Sequence, residues 1–367
     1  MAADTDVARR VWPAALETWT AEVLVRLGAS ADHGASVARV LVDATARGVD
    51  SHGVARLPMY VRLLDRGLID LDAKPRVERR DGATALVDAA NSFGQPAGEL
   101  GMQEAVGLAQ EYGVGWSVAR RSNHYGTVGY YARMAAEQGL VALAATNSAS
   151  VVAPTRASGR FLGTNPLAFG APVESGPPVV LDMSTSTVSG GKLEVAMRDG
   201  KPIPKGWGVT AEGLDTTDPY SVFRQGGALR PLGGDELHSG YKGFGLALMV
   251  ETLTAILANG AFARGVGALT SAEPTQPADV SHFAVVVDPA RFGTGVDFGR
   301  NLAELCAQLR ALPPVDPELP VLIPGDPEER ALRERTELGI PLSGPVEQTL
   351  AELADRTGAP LPDRLEP

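Results

Sequence analysis

Residues 114–148 read VGWSVARRSNHYGTVGYYARMAAEQGLVALAATNS, and the fold class turns on them. The apolar run at 114–120 predicts a strand, residues 127–138 predict a helix, and LVALAATNS (140–148) predicts a second strand. A strand–helix–strand rhythm points to a mixed α/β fold.

Upstream, the first 70 residues read as helices. Pro13 opens one that Gly28 closes, and residues 32–47 carry Val37, Val40, Leu41 and Ala44 at helical spacing. A third helix covers about 57–66, up to Gly67. In RVERRDGATALVDA (76–89), Asp81-Gly82 predicts a hairpin or tight turn, and helix 96–112 follows. Downstream, residues 150–235 are rich in Gly, Pro, Ser and Thr, with a strand in PPVVLDM (177–183). Within it, Asp182 ends the apolar run PVVLD, which reads as a buried strand. Helix 243–259, strand 282–289 ended by Pro289, and helices 299–312 and 345–356 complete the chain, with a loop at PVLIPGDPEE (320–329). The order suggests a helical region from 1–75 plus 305–367, with both termini in one layer, and a mixed α/β region over 76–304.

The 367 residues are 44% hydrophobic and 21% charged, enough for one large core or several modest ones. A net charge of -11 disfavours nucleic acid and anionic membrane as partners. The single cysteine, Cys306, allows no internal disulfide and no cysteine-rich metal site, and suits a reducing cytoplasm. No signal-peptide core stands at the N-terminus. The most apolar stretch, residues 243–263, contains Glu251 and reads as a buried helix rather than a membrane span.

No G-x-G-x-x-G follows a strand and opens a helix. GTGVDFG (293–299) has the wrong spacing, and SGGKL (189–193) lacks the rest of a phosphate loop. Five small-residue stretches remain: DSHGVAR (50–56), SNHYG (122–126), GTNPLAFGAP (163–172), LDMSTSTVSGGK (181–192) and PLGG…GYKGFG (231–245). Glycines admit close backbone approach, and Ser, Thr and Asn offer short hydrogen-bonding arms that suit a nucleotide.

Together these stretches resemble the malate/L-lactate dehydrogenase family, which is distinct from the Rossmann-type lactate and malate dehydrogenases. Its members include ureidoglycolate, diketogulonate, sulfolactate and piperideine- or pyrroline-2-carboxylate oxidoreductases. The resemblance spans most of the chain, through DSHGVARLPMYVRLLDRG, RRSNHYGTVGYYARMA, LGTNPLAFGAP, LDMSTSTVSGGKLEVAMRDGKPIPKGW, GYKGFGLALMVE, IPGDPEE and ELGIPL. It implies a non-Rossmann fold binding NAD or NADP, and a homodimer. The chain departs from the family at Gly208 and Thr210, at the stretch before LGTNP, and at His238. These lie near the expected cofactor and substrate regions.

Reduction of a 2-oxo acid needs a cation for the carboxylate and a proton for the new alkoxide. The planar fork of Arg56 suits the first, and the near-neutral titration of His52 suits the second. If 50–56 is the first turn of a helix, positions 52 and 56 share a face, with Ser51 beside them. The resemblance gives His52 and Arg56 the same roles. In some family members the counterpart of His124 takes the catalytic role, so both histidines stand as candidates. Asp182 would orient either histidine or bind cofactor. The expected cofactor side comprises His124, Asn147, Thr164, Asn165, Asp182, Met183, Ser184, Thr185, Ser186, Thr187, Lys242, Gly243 and Glu328. The leading expectation is a 2-hydroxy acid dehydrogenase acting on a small carboxylate. Its rivals are a cyclic imine reductase, a non-catalytic ligand-binding member of the fold, and a metal-dependent hydrolase that no His spacing supports.

Overall fold

The computed structural model describes residues 9–269, 273–293 and 297–365. Strand β1 (Arg9–Val11) precedes α1 (Pro13–Arg26), which has proline in its first turn, and α2 (Ala31–Ala46), capped by the Ser30 hydroxyl accepting from His33 N–H. Helix α3 (Leu57–Asp65) follows two short turns of 3-10 geometry, Asp50–His52 and Val54–Arg56. Residues 50–56 are therefore not one helical turn. The break falls at Gly53, where a Cβ would lie 2.1 Å from Thr45 Oγ1. That hydroxyl accepts from Val54 N–H, so α2 fixes the bend.

Strands β2 (Arg76–Asp81) and β3 (Thr84–Asp88) form the predicted hairpin at Asp81-Gly82. Next come α4 (Gly94–Tyr112), β4 (Val114–Ser122), α5 (Val128–Ala136), β5 (Val141–Thr146), β6 (Leu167–Ala171) and β7 (Val179–Met183). A small lobe follows: α6 (Gly190–Arg198), β8 (Gly208–Val209), β9 (Asp215–Thr216), α7 (Pro219–Phe223) and β10 (Ala228–Leu229). Then α8 (Gly240–Glu251) runs into a π-helical stretch, Thr252–Ile256, and β11 (Val280–Val287) returns to the main sheet. The chain ends with α9 (Phe298–Arg310), α10 (Asp326–Leu338), β12 (Ile340–Leu342) and α11 (Gly344–Thr357).

The seven-stranded sheet has the order β2-β3-β4-β11-β5-β6-β7, and only β3 and β4 pair parallel. The strand, helix and strand read in 114–148 form as β4, α5 and β5. β4 and β5 run the same way but are not neighbours, because β11 lies antiparallel between them. The β7 segment is an edge strand of half-buried residues rather than a buried one. Helices α4 and α5 pack one face of the sheet around Met102, Tyr131 and Ala132. Part of the other face is covered by α8 and its π-helical extension, around Val250 and Phe283. That helix is buried on one side only, since Tyr241, Leu248, Met249, Ile256 and Leu257 are exposed.

The termini do meet in one helical layer. β1 pairs antiparallel with β12, and a core of Leu16, Trp19, Leu41, Tyr60, Ile340 and Leu350 joins helices from both ends. Helix α10 begins inside the stretch read as a loop at 320–329. No helix among the described residues is long and apolar enough to cross a membrane.

Candidate active site

A cleft of about 390 Å³ opens between the turns after α2, the loop joining β4 to α5, the end of β7, and the starts of α6 and α10. It brings together nine residues singled out in the sequence: Ser51, His52, Arg56, His124, Thr164, Asp182, Met183, Ser184 and Glu328. The other cofactor-side residues are placed differently. Asn147 and Asn165 are buried behind the wall and bond backbone: Asn147 Nδ2 donates to Ala261 O at 2.9 Å, and Asn165 Nδ2 to Ala247 O at 3.1 Å. The hydroxyls of Thr185, Ser186 and Thr187 donate to the carbonyls of Thr164, Val188 and Pro231. Lys242 is exposed outside the cleft, and Gly243 packs against the Leu232 backbone.

Apart from Asp182 on β7, the catalytic candidates sit on two segments. The double turn at 50–56 presents Ser51, His52 and Arg56. The loop after β4 presents His124, held close to the start of α4: a Cβ on Gly94 would fall 2.2 Å from Asn123 O. The imidazoles of His52 and His124 stack with ring centres 5.8 Å apart and planes inclined by 16°. Ser51 Oγ lies 3.0 Å from His52 Nδ1, and Arg56 Nε donates to Ser51 O at 2.6 Å. The two terminal nitrogens of Arg56 have no carboxylate partner among the described residues. On the far side, His124 Nδ1 is 2.6 Å from Tyr60 Oη, which accepts from Gln95 Nε2 at 2.6 Å.

Burial pushes the His52 imidazole down to about 4, and the Arg56 charge adds to this. His124 is held well below its ordinary value by burial first, then by His52, Arg56 and His282. Both rings are therefore neutral at pH 7 in the free protein. Asp182 is exposed to the cleft, yet the wall around it withholds enough water to push its carboxyl up to about 6. Nearby Glu328 adds to the rise, while the Gly129 and Val128 N–H groups oppose it. Asp182 Oδ2 accepts from Gly129 N–H at 2.7 Å, which places a carboxylate at the N-terminal end of α5, where the helix dipole favours it.

Beyond the catalytic candidates, the cleft is lined by Asp43, Arg47, Arg133 and Glu329, none of them singled out in the sequence. Asp43 binds Arg47 at 3.1 Å and Arg133 at 2.6 Å, and Arg47 also pairs with Glu329. Tyr60 and Gln95 were missed as well. Tyr60 had a signal, since positions 52, 56 and 60 follow helical spacing. Gln95 had none.

The arrangement offers a carboxylate anchor, two neutral imidazoles, hydroxyls and a glycine-lined helix start around one cleft. The chain is similar to several known proteins. The family model described as malate/L-lactate dehydrogenase matches residues 11–351. The malate dehydrogenase of Pyrococcus horikoshii is 40% identical over 344 residues, 94% of each chain. Its solved structure superimposes with a TM-score of 0.87 at 37% identity, covering 100% of this chain and 99% of that one. The (2R)-3-sulfolactate dehydrogenase (NADP(+)) of Chromohalobacter salexigens is 37% identical over 279 residues, 76% of this chain and 81% of its own. The structure of delta1-piperideine-2-carboxylate reductase from Pseudomonas syringae gives a TM-score of 0.83 at 33% identity, covering 94% of this chain and 100% of that chain. With a family model over nearly the whole length and relatives of this likeness, the chain belongs to the malate/L-lactate dehydrogenase family.

Proposed function

We propose that the protein transfers a hydride between NAD or NADP and C2 of a small 2-hydroxy or 2-oxo carboxylic acid. The observation that carries this is Arg56, a guanidinium held in place by Ser51, free of any in-chain carboxylate among the described residues, and beside two neutral imidazoles. Its terminal nitrogens suit a carboxylate through paired hydrogen bonds.

The donor set of the cleft fits a dinucleotide. Ser148, Thr164, Ser184 and Ser189 supply hydroxyls, Gly190 and Gly191 supply an uncapped helix start for phosphate, and Met59, Val128, Val180 and Leu269 supply apolar surface for rings. The nicotinamide supplies or accepts the hydride. His124 carries the proton, with Ser51 and His52 holding the substrate oxygen. His124 is favoured because Tyr60 fixes its Nδ1, whereas His52 is half-buried and its ring bonds Ser51 alone among the described residues. Arg56 depresses both histidines. A substrate carboxylate seated on Arg56 offsets that charge, so substrate binding itself raises the imidazole toward the range where it gives and takes a proton.

The test is oxidation of NADH and of NADPH by the purified protein against a panel of 2-oxo acids. Turnover supports the proposal; silence across the panel, with no cofactor binding by fluorescence titration, overturns it. The likeness to a piperideine-2-carboxylate reductase supports a second reading, a cyclic imine reductase, which turnover confined to cyclic imino acids establishes. We also propose a homodimer, supported by the family resemblance and by the apolar side of α8. Sedimentation of the wild type and of Leu248→Glu tests it, and a monomeric wild type refutes it.

A further inference from the structure

Behind His124 lies a buried polar chain with one end left open. Gln95 Nε2 donates to Tyr60 Oη, and that oxygen is 2.6 Å from His124 Nδ1 and 3.3 Å from the His124 carbonyl oxygen. Tyr60 and Gln95 are fully buried, and Gln95 Oε1 has no partner among the described residues. A buried acceptor without a donor forfeits its hydration unrepaid, so its position beside an active-site imidazole calls for a reason.

A phenol has one proton to give and can accept in return. With Gln95 donating to it, Tyr60 directs its proton to Nδ1, where the Gly126 N–H also points at 3.4 Å. Nδ1 is then an acceptor, and the ring proton sits on Nε2. In that form Nε2 is a donor, as the carbonyl oxygen of an oxo acid requires. A second arrangement uses the same heavy atoms. The Tyr60 proton turns to the His124 carbonyl or, after a half-turn of the Gln95 amide, to Oε1. Tyr60 Oη then accepts from Nδ1–H, and Nε2 presents the lone pair that the O–H of a hydroxy acid requires. Burial keeps the Tyr60 phenol protonated, so the chain redirects hydrogen bonds without creating a charge.

We propose that Tyr60, steered by Gln95, is a positioning residue that sets which nitrogen of His124 carries the proton, with Gln95 Oε1 as the acceptor kept for the second tautomer. This rests on His124 being the proton carrier proposed above. For reduction the ring takes one solvent proton on Nδ1, with Tyr60 Oη turned to accept from it, and Nε2 then gives its proton to the substrate oxygen, which leaves the neutral Nδ1–H form, so the chain itself consumes nothing.

The test is nitrogen NMR of the full chain labelled with 15N-histidine, with the His124 signals assigned through His124→Asn. The wild type is expected to carry the proton on Nε2. Gln95→Glu, nearly isosteric and acceptor-only once ionised, is expected to draw the Tyr60 proton to itself and move the His124 proton to Nδ1. The same tautomer in both proteins overturns the proposal. Should Gln95→Glu fail to fold, Tyr60→Phe is the second variant: kcat is expected to fall about 10–100-fold while KM and cofactor affinity hold. Unchanged kcat in a folded Tyr60→Phe enzyme, without a tautomer change in Gln95→Glu, also overturns it. A tautomer change with unchanged kcat would uphold the relay and remove His124 from proton transfer, which separates the two claims.

Discussion

On one wall of the cleft, Asp43 holds both Arg47 and Arg133, and Glu329 takes a further contact from Arg47. On the other wall, Arg56 is fixed through its Nε alone among the described residues, and the two imidazoles beside it have no acidic partner among them. Each wall carries arginines of the same intrinsic chemistry. The first wall has closed its hydrogen bonds within the chain and so joins α2, α5 and α10 together. The second leaves its capacity open to whatever enters. A charge that has already found its partner contributes to folding, whereas one that has not is available for recognition.

Substitutions sharpen or break this contrast. The largest effect is expected for His124→Ala on the open wall: a fall in kcat of about 10²–10⁴-fold, read by steady-state kinetics at the pH optimum. Normal turnover in that variant would move the proton to His52. Arg56→Ala is next, with KM for the acid rising about 10–100-fold, as expected for the loss of charge-assisted bonds worth about 1.5–3 kcal/mol. A lower melting temperature with unchanged KM would place Arg56 with the structural arginines instead. Asp43→Asn tests the closed wall. Unfolding free energy is expected to drop by about 1–3 kcal/mol in denaturant titration while kcat is unchanged, because Arg47 and Arg133 lose a shared, half-buried partner.

The smallest effect is a pH dependence. His282 is buried between Ser122 and Thr146, which bond its two nitrogens at 2.7 and 2.9 Å, and burial pushes it down to about 3. Below about pH 6.5 the unfolded chain binds a proton there that the folded chain does not. Stability is therefore expected to fall as pH drops from about 6.5 toward 3, by up to about 1.4 kcal/mol per pH unit for that group. His52 acts in the same direction down to about 4. Asp182, raised to about 6, opposes them between there and the ordinary carboxylate range. Melting curves across pH 4–7 check the sign, and a flat or rising profile toward acid in His282→Gln against the wild type isolates its share.

Much of this architecture was readable in the chain because local signals set it. Pro13, the 37–44 apolar spacing and the Asp81-Gly82 turn each fix an element through nearby atoms. Helix α10 was missed for a physical reason: DPEERALRERTEL has no apolar stripe, and none of its residues is fully buried. It is held by ion pairs, Arg335 with Asp50 at 2.5 Å and Arg47 with Glu329, whose partners lie nearly three hundred residues away in sequence. The place of β11 was unreadable on the same ground, since no local pattern names a strand's neighbour. Within the site, Ser51, His52 and Arg56 could be found because polar residues cluster there without an evident structural duty. Asp43, Arg133 and Gln95 sit inside ordinary helical sequence, and only packing brings them to the cleft.

The late strand at the centre of the sheet has a consequence for how the chain is made. Residues 114–122 and 141–146 leave the ribosome well before residues 280–287, and until then each lacks the neighbour that fills the space between them. Two unpaired strand edges therefore stand open during synthesis of more than a hundred residues, the condition under which nascent chains pair with one another. Closure must wait for a distant segment, so refolding is governed by a slow search rather than by the fast local helices. A polypeptide interrupted before residue 280 has no means of closing its own sheet.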